Sequence, residues 1–286
     1  MMAALALLPH LALMLVAGPV LAGLTGTGHP AQPWRDLRRL FRKPGLWPEG
    51  ACLFGAVPAA SLGASLAAAL LVPSFTLGMA TAPLADLVLL AGLLGFAQAA
   101  SVLAGFDAQT GLAALWAQRR GVLLVAVAPG VFVLILLVAA ACGTSNLDAA
   151  SAALRESGPA WSLLLPCIAA ALLFLSGSAA GLEDAWAGRD LALLRFAGQL
   201  RRVTAFSVLA ALAVPFGLAP AGAGPDAWVV GAACWAVKMA ALGAVAAALG
   251  RLRAALRADQ APELAALGLL LALLAAALFF AGQKAA

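Results

Sequence analysis

The chain has 286 residues, of which 64% are hydrophobic and 10% are charged, and its mean hydropathy is +1.03. This small number of charged residues cannot cover the surface of a soluble globular domain. The sequence therefore predicts a polytopic membrane protein. The net charge of +5 and the pI near 9.6 do not indicate nucleic-acid binding, because the Lys and Arg residues fall between apolar runs, a distribution typical of topology determinants.

Apolar runs that match the thickness of a bilayer, about 20 residues each, recur along the chain. They predict eight membrane helices, over residues 3–24, 50–73, 84–105, 121–143, 160–182, 203–218, 227–250 and 262–281. No internal repeat and no long Pro/Gly-rich linker divides the sequence. We therefore predict an all-α fold, a single bundle of about eight transmembrane helices that forms one integral membrane domain over residues 1–286.

The distribution of Lys and Arg between the runs predicts the orientation of the chain. Fourteen of these residues lie in the odd-numbered loops, whereas Arg155 and Lys284 lie on the other side. Because cytoplasmic loops are enriched in Lys and Arg, we expect the odd-numbered loops in the cytoplasm and both termini on the non-cytoplasmic side.

The first cytoplasmic loop contains a short amphipathic segment between Pro33 and Pro44. Its apolar residues recur at helical spacing and are flanked by arginines; they are Trp34, Leu37, Leu40 and Phe41, beside Arg35, Arg38, Arg39 and Arg42. Such a helix lies in the membrane interface, with its aromatic rings at the acyl boundary. It is either a general anchor on anionic lipid or a docking site for a cytoplasmic partner.

The third run places Asp86 and Asp107 at its two ends and Gln98 and Ser101 on one face between them. Carboxylates at the membrane interface are commonly solvated. Polar side chains such as Gln98 and Ser101 more often bond a neighbouring helix than form an ion site.

The junction between the fifth and sixth runs is the most highly charged segment of the chain. Within twenty residues it contains Glu183, Asp184, Arg189, Asp190, Arg195, Arg201 and Arg202. Arg195, Gln199 and Arg202 fall on one helical face. The segment forms either a structural network of ion pairs or a proton relay or substrate cavity, and the residue types alone do not decide between them.

Lys238 lies at the middle of the seventh run, where a charged side chain costs roughly 2.5 to 3.5 kcal/mol on insertion scales. Its helical face is otherwise made of small residues such as Gly231 and Cys234, which predicts that the ammonium points into the bundle. We expect it to pair with a carboxylate, from Glu183 and Asp184 or from Asp86.

No motif of a self-contained enzyme is present. The sequence has no Walker motif, no nucleotide-binding glycine loop and no Ser-His-Asp elements, and His10 and His29 are too differently placed to share a metal. The four cysteines, Cys52, Cys142, Cys167 and Cys234, lack CxxC spacing, which predicts neither a disulfide framework nor a metal cluster. We expect no cofactor in this chain.

The order of these segments along the chain resembles that of the complex I subunit 1 family. Within this family it resembles the formate hydrogenlyase subunit 4 branch, the membrane anchor of group 4 nickel-iron hydrogenases. "QPWRDLRRLFRK" is similar to the family's interfacial helix at Gln32, Asp36, Leu37, Leu40 and Lys43. "DLVLLAGLLGFAQAASVLAGFDAQTG" is similar to the third helix and the turn after it, with Asp86, Gly105 and Asp107 in place. "WAGRDLALLRFAGQLRRV" is similar to the family's entry to the sixth helix, and Lys238 falls where the family also has an intramembrane Lys.

The resemblance implies a bundle in the cell inner membrane that seats peripheral iron-sulfur and nickel-iron hydrogenase-like subunits on its cytoplasmic loops. It also implies antiporter-like subunits at its side and no redox centre of its own, so the chain would be a subunit of an oxidoreductase complex. The candidate docking residues are then Arg35, Asp36, Arg38, Arg39, Arg42, Lys43 and Arg119. The candidates for a proton path or buried ion network are Lys238, Glu183, Asp184, Asp86, Asp107, Arg195, Gln199 and Arg202.

The chain departs from the family pattern at several polar positions. Only Glu183 and Asp184 remain of a longer acidic loop, Arg120 replaces a Glu before the fourth helix, Gln98 replaces an Arg in the third helix, and Trp186 replaces a Tyr. The missing carboxylates are those to which the family's quinone binding and proton entry are assigned. These departures argue against quinone binding and weaken the case for proton coupling.

Two functions follow from these observations. The first is a non-catalytic membrane subunit of a complex I-like or group 4 hydrogenase assembly, which anchors a redox module and contributes to proton translocation. The alternative is a stand-alone secondary transporter with a polar cavity around Lys238. The absence of a repeat and of paired helix-breaking Gly/Pro positions argues against the transporter.

Overall fold

The computed structural model describes residues 2–26, 29–157, 166, 168–170, 185–255 and 261–285. Within these residues the fold is all-α, as predicted, and contains isolated β-bridges but no strand. The helices are α1 (Met2–Leu5), α2 (Leu7–Gly26), α3 (Gln32–Phe41), α4 (Val57–Leu71), α5 (Leu87–Asp107), α6 (Gly111–Cys142), α7 (Leu147–Ser157), α8 (Gly188–Ala213), α9 (Pro225–Ala255) and α10 (Ala261–Ala285).

Five segments of the described chain are long and apolar enough to cross a membrane: Met2–Gly26, Leu87–Asp107, Gly111–Cys142, Pro225–Arg251 and Pro262–Gly282. They correspond to the first, third, fourth, seventh and eighth predicted spans, so this is a multi-pass membrane protein. The fifth predicted span, 160–182, lies almost entirely outside the described residues. The total of eight therefore stays a prediction.

The second and sixth predicted spans are wrong in extent. In place of 50–73, α4 covers only 15 residues, and in place of 203–218, α8 extends over 26 residues and ends at Ala213. Both helices end just before a Val-Pro pair, Val72-Pro73 and Val214-Pro215. Proline lacks an N–H and disfavours helical geometry in the residue before it. Each helix therefore ends earlier than the hydropathy of its run predicts.

Two further differences concern the helix inventory. α6 begins at Gly111, ten residues before the predicted start of the fourth span, because "GLAALWAQRR" continues the helix from an N-cap at Thr110. α7 was not predicted, because it is short and only moderately apolar.

The polar helix α8 occupies the centre of the described bundle and packs against α2, α3, α4, α7 and α9. Its buried residues Leu200, Val203 and Phe206 belong to the main core cluster, together with Met14 of α2 and Trp235 of α9. α6 packs against α5, α7 and α10. Arg195, Arg201 and Arg202 of α8 are therefore half-buried among the packed helices, whereas Arg189 in its first turn is exposed.

Candidate docking surface and buried polar residues

The amphipathic segment of the first loop forms α3, which confirms the predicted helix. Its residue Leu37 is buried, with 4% of its surface exposed, and the helix packs on α2 and α8. Asp36 is half-buried. The cations of the opposite face are all exposed; they are Arg35, Arg38, Arg39, Arg42 and Lys43.

The chain after α3 is fixed against the start of α8. Gly188 has a φ of +58°, and a Cβ built on it would lie 1.9 Å from the carbonyl oxygen of Pro44. Only glycine fits there, since both the conformation and the space exclude a side chain. The next amide, that of Arg189, donates to the Lys43 carbonyl at 3.2 Å.

A buried carboxylate makes a second contact between the same two segments. Asp190 is 4% exposed and accepts a hydrogen bond of 2.8 Å from Nε1 of Trp47. Arg189 lies beside the carboxylate, with its Nε 3.8 Å from Oδ1, although its own side chain is largely exposed. Gly45 allows this close packing, because a Cβ at that position would overlap the Asp190 carboxylate.

Asp107 and Trp186 hold the far end of the same loop. Asp107 Oδ2 accepts from the amides of Leu53, at 2.7 Å, and Phe54, at 3.1 Å. The ring of Trp186 stacks on that of Phe54, with centroids 4.6 Å apart, and its Nε1 donates to the Phe54 carbonyl at 3.1 Å. Asp107 therefore stabilises the turn that leads into α4.

We define the seat as α3 together with residues 42–56. Beside its cations it exposes large apolar side chains: Phe41 at 50%, Leu46 at 68% and Trp47 at 59%. Arg119, the remaining docking candidate, is exposed at the start of α6 with its guanidinium 5.5 Å from the centre of the Trp116 ring. The seat is a preformed surface that is both basic and aromatic.

Asp86 lies at the opposite end of α5 from Asp107, so the structure does not bring these two candidates together. Its Oδ1 accepts from the amides of Val88 and Leu89 and caps the helix, and its Oδ2 accepts from the Ser145 hydroxyl. These bonds, above all the one from Ser145, hold the pKa of Asp86 below its usual value.

Lys238 does not pair with Asp86, one of its predicted carboxylate partners, in the described part of the protein. Its Nζ donates to two main-chain carbonyls, those of Val214 and Phe216, directly after α8 ends. Asp86 is occupied by its own helix and by Ser145, and Glu183 and Asp184 lie outside the described residues. Among the described residues, the half-buried ammonium is therefore bonded by the backbone, and its pairing with Glu183 or Asp184 stays a prediction.

The remaining polar candidates lie on or beside α8. Arg195, Gln199 and Arg202 are half-buried on this helix, and Oε1 of Gln199 is a buried acceptor without a hydrogen-bond donor in the described part of the protein. Nη1 of Arg201 donates to the Ser61 hydroxyl of α4 at 2.9 Å.

Sequence reasoning missed two features of this region. One is the pair Trp47 and Asp190, whose residues are 143 positions apart. The other is His10, a fully buried ring in α2 that bonds the end of α4. No local sequence signal links either residue to its partner.

These observations define the class of protein: a multi-pass helical membrane protein that holds a rigid basic surface at one end of its bundle. The family model for NADH dehydrogenase matches residues 14–185, more than half of the chain. The chain therefore belongs to the NADH dehydrogenase family, of the complex I subunit 1 type. No curated protein sequence matches it significantly.

Among solved structures, the chain is similar to one from the membrane-bound sulfane sulfur reductase (MBS), an archaeal respiratory membrane complex. The TM-score is 0.70 at 18% sequence identity, and the alignment covers 94% of this chain and 97% of that one. At this identity the likeness shows the fold, and it extends beyond the residues that the family model matches.

Proposed function

We propose that this protein is a non-catalytic integral membrane subunit of a complex I-like or group 4 hydrogenase assembly, in which it anchors a peripheral redox module. Membership of the NADH dehydrogenase family supports this function, as does the fold likeness to a chain from a respiratory membrane complex. The stand-alone transporter is not favoured by either comparison.

The observation that carries the proposal is the rigidity of the seat. A general lipid anchor needs only an amphipathic helix, whereas here the loop after α3 is also held by Gly188, Asp190, Asp107 and Trp186. A surface that is already ordered loses less conformational entropy when a protein binds. Exposed arginines beside aromatic side chains are typical of binding hot spots, and guanidinium groups form charge-assisted hydrogen bonds with acidic surfaces.

The proposed partners are iron-sulfur and nickel-iron hydrogenase-like subunits on the seat and antiporter-like subunits at the side of the bundle. In this arrangement the seat faces the cytoplasm, both termini lie on the other side of the inner membrane, and the chain forms one integral membrane domain. A contribution to proton translocation would involve the half-buried polar face of α8, with Arg195, Gln199 and Arg202.

Charge reversal on the seat tests the proposal. Replacing Arg38, Arg39 and Arg42 together by Glu should release the soluble subunits from the affinity-purified complex, because attraction to an acidic surface becomes repulsion. The variant should stay inserted, since acidic residues weigh little in setting topology. Co-purification and mass spectrometry of the membrane fraction measure both effects.

Two controls separate the seat from general charge effects. The triple Arg→Lys variant keeps the charge and should keep most of the soluble partners, and Arg251→Glu changes an exposed cation on α9 that is not part of the seat. Full retention of partners by the triple Glu variant would overturn the docking role. If the wild-type protein purified alone and showed transport activity in vesicles, the alternative function, a stand-alone transporter, would be favoured.

A further inference from the structure

Two helices of the bundle are interrupted within the membrane. α4 is 15 residues long, about 22 Å at a rise of 1.5 Å per residue, which is shorter than a bilayer core of about 30 Å. α8 ends beside Lys238, which lies thirteen residues from each end of the span Pro225–Arg251. α4 likewise ends beside His10, which lies within the span Met2–Gly26, so the irregular backbone after each break lies beside a spanning helix.

Such a break leaves main-chain carbonyls without helical partners. The last four carbonyls of any helix lack an intrahelical donor, and Pro73 and Pro215 remove an N–H from each following segment. In the hydrocarbon region each unsatisfied group costs several kcal/mol, so irregular backbone persists there only where the protein itself supplies partners.

Lys238 supplies donors at the break after α8. Its ammonium donates to the carbonyls of Val214 and Phe216, on either side of Pro215. Positive charge is favoured at the negative end of a helix dipole, so an ammonium suits this position better than a neutral donor.

His10 of α2 supplies a donor at the break after α4. Its Nε2 lies 2.9 Å from the carbonyl oxygen of Ala69, and its Nδ1 lies 2.7 Å from the Ser74 hydroxyl beyond Pro73. A carbonyl only accepts, so Nε2 carries the hydrogen, and the ring spans the break from one side to the other. The Thr81 hydroxyl donates to the neighbouring Leu70 carbonyl at 2.7 Å.

The two interrupted segments then bond to each other. The amide of Leu77 donates to the Ala219 carbonyl at 2.9 Å, and the amide of Ala219 donates to the Phe75 carbonyl at 2.8 Å. Thr76 and Ala219 form a parallel bridge. The segments after α4 and after α8 are thus one joined unit, bonded at both ends by basic side chains from other helices.

We propose that Lys238 and His10 are positioning residues that cap the two interrupted helices from neighbouring helices, and that this capping fixes the depth of α8 and its polar face. In this role the intramembrane ammonium serves the architecture of the bundle and is not a proton carrier. The inference concerns residues apart from the seat, so it stands or falls independently of the docking proposal.

Hydrogen–deuterium exchange of the purified full-length protein tests the cap directly. Lys238→Met keeps the length of the side chain but removes its donors, and exchange of the amides over 210–219 should rise about tenfold or more, as expected for loss of charge-assisted bonds. Lys238→Arg keeps the donors and should stay near the wild-type rate. Val237→Met, at a position 70% exposed on the same helix, is the matched control and should leave 210–219 unchanged.

The second cap gives an independent measurement if Lys238→Met does not accumulate. His10→Gln keeps an N–H donor for the Ala69 carbonyl and should preserve slow exchange over 70–77, whereas His10→Phe should lose it. Unchanged exchange over 210–219 in Lys238→Met would overturn the cap at α8. Equal exchange over 210–219 in Lys238→Met and Lys238→Arg would also overturn the cap at α8. His10→Phe with wild-type exchange would overturn the cap at α4.

Discussion

Replacing Gly188 by Ala should weaken the attachment of the loop after α3 to the start of α8. The residue has a φ of +58°, and a non-glycine residue in the left-handed region costs roughly 1–2 kcal/mol. The new Cβ would also lie 1.9 Å from the Pro44 carbonyl oxygen and 2.9 Å from that of Lys43. These are backbone atoms, which cannot turn away as the end of a flexible side chain can, so the loop itself must move.

The size of the effect follows from the bonds that this movement breaks. The hydrogen bond from the Arg189 amide to the Lys43 carbonyl is lost, and the one from Trp47 to Asp190 is strained. The lost bond contributes about 1 kcal/mol, the strained bond up to as much, and the backbone conformation roughly 1–2 kcal/mol, so we expect the attachment of the loop to weaken by about 2–4 kcal/mol.

Trypsin cleavage in native membranes or detergent reports this local opening. Cleavage after Arg42, which is exposed at the end of α3, should become much faster in Gly188→Ala, since proteolysis follows the population of the open form. Gly63→Ala is the matched control, because a Cβ on Gly63, within α4, would meet no atom within 4 Å and alanine favours a helix. Equal cleavage rates and equal thermal midpoints for Gly188→Ala and the wild type would refute the reasoning.

Two other carboxylates give further predictions. Asp107→Ala removes the acceptor for the amides of Leu53 and Phe54 and should destabilise the loop by about 1–2 kcal/mol, as loss of a helix cap does; faster amide exchange over 53–57 would show it, and unchanged exchange would contradict it. Asp86 has a lowered pKa, so its carboxylate stabilises the folded state above about pH 3.9, the unfolded value, and this contribution disappears as pH falls through the folded pKa. The thermal midpoints of Asp86→Asn and the wild type should therefore differ at pH 7 and converge below pH 4, and a constant difference across that range would show that the charge of Asp86 contributes nothing.

The spans that the sequence predicts well are those in which one long apolar run ends at a polar or capping residue. α5 is an example, because Asp86 begins it and Asp107 ends it. The breaks in α4 and α8 could not be read from hydropathy, since Val72-Pro73 and Val214-Pro215 continue the apolar runs without a change in polarity. Only the proline geometry distinguishes them.

The parts of the candidate site that depend on neighbouring residues in the sequence were predictable. The contacts between residues far apart in the sequence were not. The basic face of α3 follows from helical spacing alone. The carbonyl partners of Lys238 could not be predicted in this way, because main-chain carbonyls have no sequence signature. The prediction of a carboxylate was based on side chains only. The bond between Trp47 and Asp190 likewise depends on packing of two distant segments.

Two of the polar residues that the sequence places in the third and fourth spans contact each other in the structure. Nη2 of Arg120 in α6 donates to Oε1 of Gln98 in α5 at 3.5 Å. The contact gives the amide oxygen of Gln98 a charged donor from the neighbouring helix.

The bridge between Thr76 and Ala219 has a consequence for synthesis of the protein in the cell. The backbone after α4 finds its hydrogen-bond partner 143 residues later in the chain, so the ribosome must complete α8 before the joint can close. Until then α4 is too short to cross the bilayer alone, and the Phe75 carbonyl after it lacks the amide of Ala219 as its donor. We therefore expect the first half of the protein to stay within the insertion machinery until the second half arrives, and a chain truncated before residue 214 to be degraded although its early helices are individually apolar.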